Sequence, residues 1–115
     1  MGMIEQRGAT RFDVEVAAEV YTPKAVLPAK TRNMSSTGVC LDINQGLEEG
    51  ITVGVSLFFT TDGIEDPDAE PLNVKAKIMW CTEREDTGFS AGTRFEDVTD
   101  HNAEIIGNFL TALTE

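Results

Sequence analysis

The chain has 115 residues and a formal charge of −11, from 9 Lys and Arg against 20 Asp and Glu. That length supports one domain with a modest core; with 41% apolar and 25% charged residues it is not globally disordered, and its negative field disfavours general binding to DNA or RNA. No apolar run approaches the roughly 18–20 residues that span a bilayer, and Met1 to Gln6 lack the basic and apolar regions of a secretory signal, so a cytoplasmic protein without membrane insertion is expected.

Residues 1–11 are polar, carry Gly2 and Gly8, and read as a flexible lead-in. From Phe12, apolar Val14, Val16, Ala18 and Val20 alternate with Asp13, Glu15 and Glu19, the period of a half-buried strand. A second strand is expected from Lys24 to Arg32, with Pro28 marking an edge or a bulge. Asn33 to Gly38 reads as a turn, and Val39, Leu41 and Ile43 as the inner face of a third strand. Thr52 to Phe59 gives the fourth, and Asp62 to Pro71, with five acids and two prolines, a solvated loop. Leu72, Val74, Ala76, Ile78 and Trp80 form the clearest alternation. Trp80 is therefore read as core, with ligand stacking as its other use. Phe89, Ala91, Thr93 and Phe95 make a last strand.

After Phe95 the period changes. Thr99 suits a helix N-cap, and Ile105, Ile106, Phe109, Leu110 and Leu113 form an apolar stripe at spacings of three and four. The expected class is all-β: about six short antiparallel strands in a small barrel or sandwich, followed by one amphipathic helix over about 99–114.

Catalysis finds no candidate. The one histidine, His101, sits in the first turn of the expected helix and reads as an ordinary surface residue, and no P-loop, GxGxxG, HExxH or GxSxG occurs. Cys40 and Cys81 are too far apart for a zinc motif, and the acids of Asp62 to Glu70 do not follow an EF-hand spacing. No metal or cofactor is expected, and the chain reads as a non-enzyme.

Charge is unevenly spread. Residues 1–40 are net +1 and residues 41–115 net −12, so a local basic cluster that meets a small anion belongs in the first third. Two short constellations lie there: Arg7-Gly8-Ala9-Thr10-Arg11, and Asn33-Met34-Ser35-Ser36-Thr37-Gly38, with 21 residues between Arg11 and Asn33. Each alone also describes something plain, a solvated arginine pair and a capped turn.

In this order they resemble the PilZ domain family, whose pattern is R-x-x-x-R at the start of the domain and (D/N)-x-S-x-x-G after the first hairpin. The stretch Gly92 to Val98 resembles the family's last strand and exit. The resemblance implies a six-stranded antiparallel β-barrel of PilZ, split-barrel-like type with a C-terminal helix. It also implies a bacterial second-messenger receptor that binds cyclic di-GMP as its ligand and signals to a separate, unidentified effector protein. On this expectation Arg7 and Arg11 grip guanine edges and phosphates, Asn33 reads a base edge, and Ser35 bonds the ligand and holds the turn. Gly38 lets the backbone pass close to it, and Gln6 and Arg32 flank as secondary contacts. A guanidinium suits that ligand because its planar fork pairs with phosphate or with guanine O6 and N7 and stacks on a base. The segment before Phe12 is expected to order over the barrel when the ligand arrives. A monomer or weak dimer is expected. The alternative is a barrel of the same fold that serves as a protein-interaction adaptor without nucleotide.

Overall fold

A computed structural model of the chain describes residues 10–61, 64–65 and 71–113. Gln6, Arg7 and most of the lead-in, with its ordering step, lie outside them. Alternation resolves into β1 (Phe12–Asp13), β2 (Ala17–Tyr21), β3 (Val26–Met34), β4 (Val39–Ile43), β5 (Thr52–Phe58), β6 (Thr60–Thr61), β7 (Ile64–Glu65), β8 (Leu72–Glu83) and β9 (Phe89–Glu96). The chain then enters α1 (Asp100–Leu113). Antiparallel pairings run β3–β2–β5–β8–β9–β4, and β4 returns to β3, so six strands close a barrel. β1 adds to the end of β3, and β6 pairs with β7 in a separate small hairpin.

Closure puts one face of each of these six strands inside. Val20, Val39, Leu41, Leu57, Leu72, Ala76 and Ile78 are all fully buried, each on the parity that the alternation predicts, and Met34, expected in the turn, is fully buried at the end of β3 as well. Helix α1 covers this interior. Thr99 Oγ1 accepts the Asn102 backbone N–H at 3.1 Å as the N-cap, Ile106 enters the core, and Phe109 stacks on Phe59 with ring centroids 4.0 Å apart. Asn102 Nδ2 also donates to the Asn73 carbonyl of β8 at 2.9 Å. No helix among the described residues is long and apolar enough to cross a membrane.

Three local departures from the simple pattern matter for the site. The strand expected from Phe12 to Val20 breaks between β1 and β2, because a side chain takes over the ladder there. Thr31 Oγ1 donates to the Val14 carbonyl at 2.6 Å and accepts the Val16 N–H at 2.8 Å. Thr31 is 1% exposed, so Thr31→Val strands a buried donor and acceptor. It is expected to lower stability by about 1–3 kcal/mol, measured by the urea midpoint.

The other two are β-bulges. Against β4 the register of β3 slips between Thr31 and Asn33, so Arg32 is the extra residue. Pro28 itself pairs only with Glu19, one position beyond the end of the β3–β4 ladder, where its missing N–H costs no bond. Against β9 the register of β8 slips between Ile78 and Trp80, so Met79 is extra there. In each bulge two successive side chains face outward: Arg32 with Asn33, and Met79 with Trp80. Trp80 is therefore not core. It is 41% exposed, because the extra residue inverts the alternation just before it.

Candidate functional site

Antiparallel pairing brings the two motifs together. Phe12 lies opposite Met34 and Asp13 opposite Asn33, so the chain preceding β1 runs past the end of β3. Arg11 Nη1 donates to Asn33 Oδ1 at 2.8 Å. Residues separated by 22 positions thus meet on the outside of the barrel. Asn33 engages one guanidinium donor through a neutral amide, and Arg11 forms no ion pair among the described residues. Arg7, four residues earlier, lies outside the described residues.

Asn33 and Met34 end strand β3 rather than belonging to the turn, which comprises Ser35 to Gly38. Ser35 N–H donates to the Gly38 carbonyl at 2.9 Å, and Ser35 Oγ accepts the Thr37 N–H at 3.2 Å and meets Thr37 Oγ1 at 3.1 Å. Ser35 is buried, and its hydroxyl holds the turn. The turn is also tied to the barrel, since the Phe95 N–H donates to the Thr37 carbonyl at 2.8 Å. Gly38 packs directly on β9: a Cβ there would overlap the Thr93 carbonyl oxygen and stand 3.3 Å from Arg94 Cα. The structure gives this glycine a packing reason inside the fold, beside the ligand passage expected from the motif.

Reading across the outer face, Asp13, Asn33, Cys40, Gly92 and Trp80 lie side by side on consecutive strands. At about 4.8 Å per strand, Trp80 stands roughly 14 Å from Asn33 along the surface. Its indole lies over Gly92, in the space a Cβ would fill, so this glycine seats the ring flat against the barrel. Cys40 is buried within the row. Burial pushes its thiol pKa up, with Asp42 adding to the rise, and the thiol stays protonated at neutral pH.

Arg94 and Lys77 lie directly opposite each other on β9 and β8, on the same outer face and one turn of the alternation from Gly92 and Trp80. Neither forms an ion pair among the described residues. A like-charge cross-strand pair is locally unfavourable, yet the fold sets these two cations side by side here although both belong to the acidic two-thirds of the sequence. Charge along the sequence points to the first third alone for a basic cluster. Topology adds these two, and the signal that was available for Trp80 is the unbroken apolar run Ile78-Met79-Trp80-Cys81, which no single alternating strand can bury.

On the other side of the row sits Asp42. Arg32 reaches it with Nε to Oδ1 and Nη2 to Oδ2, both at 3.2 Å. Arg84 Nη1 approaches Oδ2 at 2.9 Å, and Ser90 Oγ donates to Oδ1 at 3.0 Å. Burial pushes the Asp42 carboxyl up, but hydrogen bonds from Arg32 and Ser90 and the two guanidinium charges outweigh it and hold the group below the usual carboxylate range. Its contribution to stability is present at neutral pH and is lost as pH falls through that lowered pKa. Arg32, expected as a secondary contact, is thus engaged within the protein.

The PilZ domain model matches residues 5–112. No curated protein matches the sequence. Among solved structures, the inhibitor of motility MotI/DgrA of Bacillus subtilis superposes with a TM-score of 0.77 at 10% identity, over 96% of this chain and 52% of that one. The chain therefore spans about half the length of that protein. The PilZ domain of YcgR from Escherichia coli, solved with c-di-GMP, gives 0.76 at 12% identity over 96% of this chain and 92% of that one. The PilZ domain of CeSA from a cellulose-synthesizing bacterium gives 0.64 at 12% identity over 93% and 100%. These likenesses establish the barrel, and the match of 5–112 spans both motifs. The chain belongs to the PilZ domain family.

Proposed function

We propose that this barrel is a cytoplasmic receptor for cyclic di-GMP, held on the outer face between the Arg11–Asn33 contact and Trp80. The observation that carries the reading is the 2.8 Å contact that joins the two motifs, supported by a relative solved with c-di-GMP. Arg11, with Arg7 upstream, would supply forked donors to phosphate and to guanine O6 and N7. Asn33, which offers both a donor and an acceptor, would read a guanine edge. The Ser35–Gly38 turn would bring backbone close to the ligand, and Ser35 would bond it only by giving up its contact with Thr37. Trp80 offers an exposed ring for a base to stack on, and Arg94 and Lys77 lend positive potential beside it. The output would be a change of surface sensed by a separate protein.

Calorimetric titration of the chain with cyclic di-GMP tests this. Saturable binding is expected. A matching rise in melting temperature is also expected, because ligand at 100 times its dissociation constant adds about 2.7 kcal/mol of stability. Absence of both heat and shift at millimolar ligand would overturn the receptor reading in favour of a nucleotide-independent adaptor.

A further inference from the structure

We propose that Asp42 is a latch for Arg32: it holds this arginine off the ligand in the free protein and releases it when cyclic di-GMP binds. The inference rests on the receptor reading above and adds a residue that sets affinity from outside the two motifs.

The geometry supplies both a loose cation and a carboxylate that can spare it. Arg32 is the extra residue of the β3 bulge, so its side chain emerges on the same face as that of Asn33, its immediate neighbour. Its side chain is 54% exposed, and both of its bonds to Asp42 are 3.2 Å, long for a charge-assisted pair. The Asp42 side chain is 22% exposed and needs compensation. Each of its oxygens has two partners: Oδ1 takes Arg32 Nε and Ser90 Oγ, and Oδ2 takes Arg32 Nη2 and Arg84 Nη1. When Arg32 leaves, each oxygen still keeps one donor.

Arg84, by contrast, is fixed. Asp86 holds its Nε at 3.1 Å and its Nη2 at 3.0 Å, which leaves Nη1 for Asp42. The missing side chain of Gly88 makes room for that guanidinium, since a Cβ there would come within 2.6 Å of Nη2. Two arginines therefore share one carboxylate, one anchored and one free to exchange. A pair whose arginine end is exposed and whose bonds are both 3.2 Å is weak in water, and a guanidinium at ordinary charge-assisted distance from a phosphodiester oxygen is held more strongly. An anionic ligand beside Asn33 therefore wins Arg32 from Asp42.

Calorimetry with cyclic di-GMP on four variants separates the claims. Asp42→Asn is expected to tighten binding about two- to fivefold, the strength of an exposed ion pair, and Arg32→Ala to weaken it. The double variant is expected to bind as Arg32→Ala does, because the effect of Asp42 passes through Arg32. If Asp42→Asn fails to tighten binding while Arg11→Ala still weakens it at least about tenfold, the latch is wrong and the receptor reading stands. A double variant tighter than Arg32→Ala also overturns the latch, leaving only a diffuse effect of the negative charge. If the wild type does not bind, both fall. Should Asp42→Asn not fold, the Arg32 Nε–Hε resonance of the wild type serves instead: it is expected to shift on titration, and a stationary signal at saturation overturns the proposal.

Discussion

Arg11→Ala is expected to weaken cyclic di-GMP binding by roughly 10- to 100-fold, the loss of about one charge-assisted bond at about 1.5–3 kcal/mol. Stability should change by less than about 0.5 kcal/mol, because Arg11 is exposed and its hydrogen bond among the described residues is to a neutral amide. Calorimetry and a denaturation curve on the same sample check the two halves. Arg11→Lys is the sharper control. Lysine keeps the charge but not the fork, so its affinity should fall between wild type and alanine. An affinity for the lysine variant equal to wild type would show that only diffuse charge acts here.

Gly38→Val should have the largest effect on the fold, a loss of more than about 3 kcal/mol, at or beyond the usual range for overpacking. The added carbon meets backbone rather than a flexible side chain, namely the Thr93 carbonyl oxygen. Neither partner can retreat. Thr93 sits in the β8–β9 ladder opposite Ile78 and donates its hydroxyl to the Val39 carbonyl at 2.9 Å, while Thr37 accepts from Phe95. Thermal unfolding of the purified variant, or its failure to accumulate as folded protein, reads this out. Gly50 is a useful contrast. It has φ of +91° with nothing within 4 Å of a built Cβ, so Gly50→Ala strains only a loop conformation and should cost less, about 1 kcal/mol.

Alternation made the inner face of the barrel legible in the sequence. Val20, Leu41, Leu57 and Ile78 all bury as their parity requires, and the change of period after Phe95 marks helix α1 with its Thr99 cap. A bulge has no such signature. One extra residue at Met79 turned Trp80 from the interior to the surface, and one at Arg32 set two polar side chains on the same outer face. The break between β1 and β2 depends on a single hydroxyl, that of Thr31, whose two bonds appear only once β3 is folded beside it. Local spacing also hides what closure brings together. Arg94 and Lys77 stand far along an acidic sequence, yet the β8–β9 hairpin returns them to the face that carries Asn33 and Gly38.

The candidate site was legible for a different reason. Its residues cluster in two short stretches, and the arginine fork, the Asn33 amide and the Ser35–Gly38 turn state their chemistry by type. What the sequence does not contain is the price of Arg32, which only the shared carboxylate of Asp42 reveals.

The most direct test is a heteronuclear NMR titration of the uniformly labelled chain with cyclic di-GMP. The largest amide and side-chain shifts are expected on Arg11, Asn33, Ser35 and Gly38, together with the Trp80 indole N–H, with residues of helix α1 far from the row unmoved. Saturable binding whose shifts cluster elsewhere on the barrel, with Arg11 and Asn33 unmoved, would contradict this placement of the site.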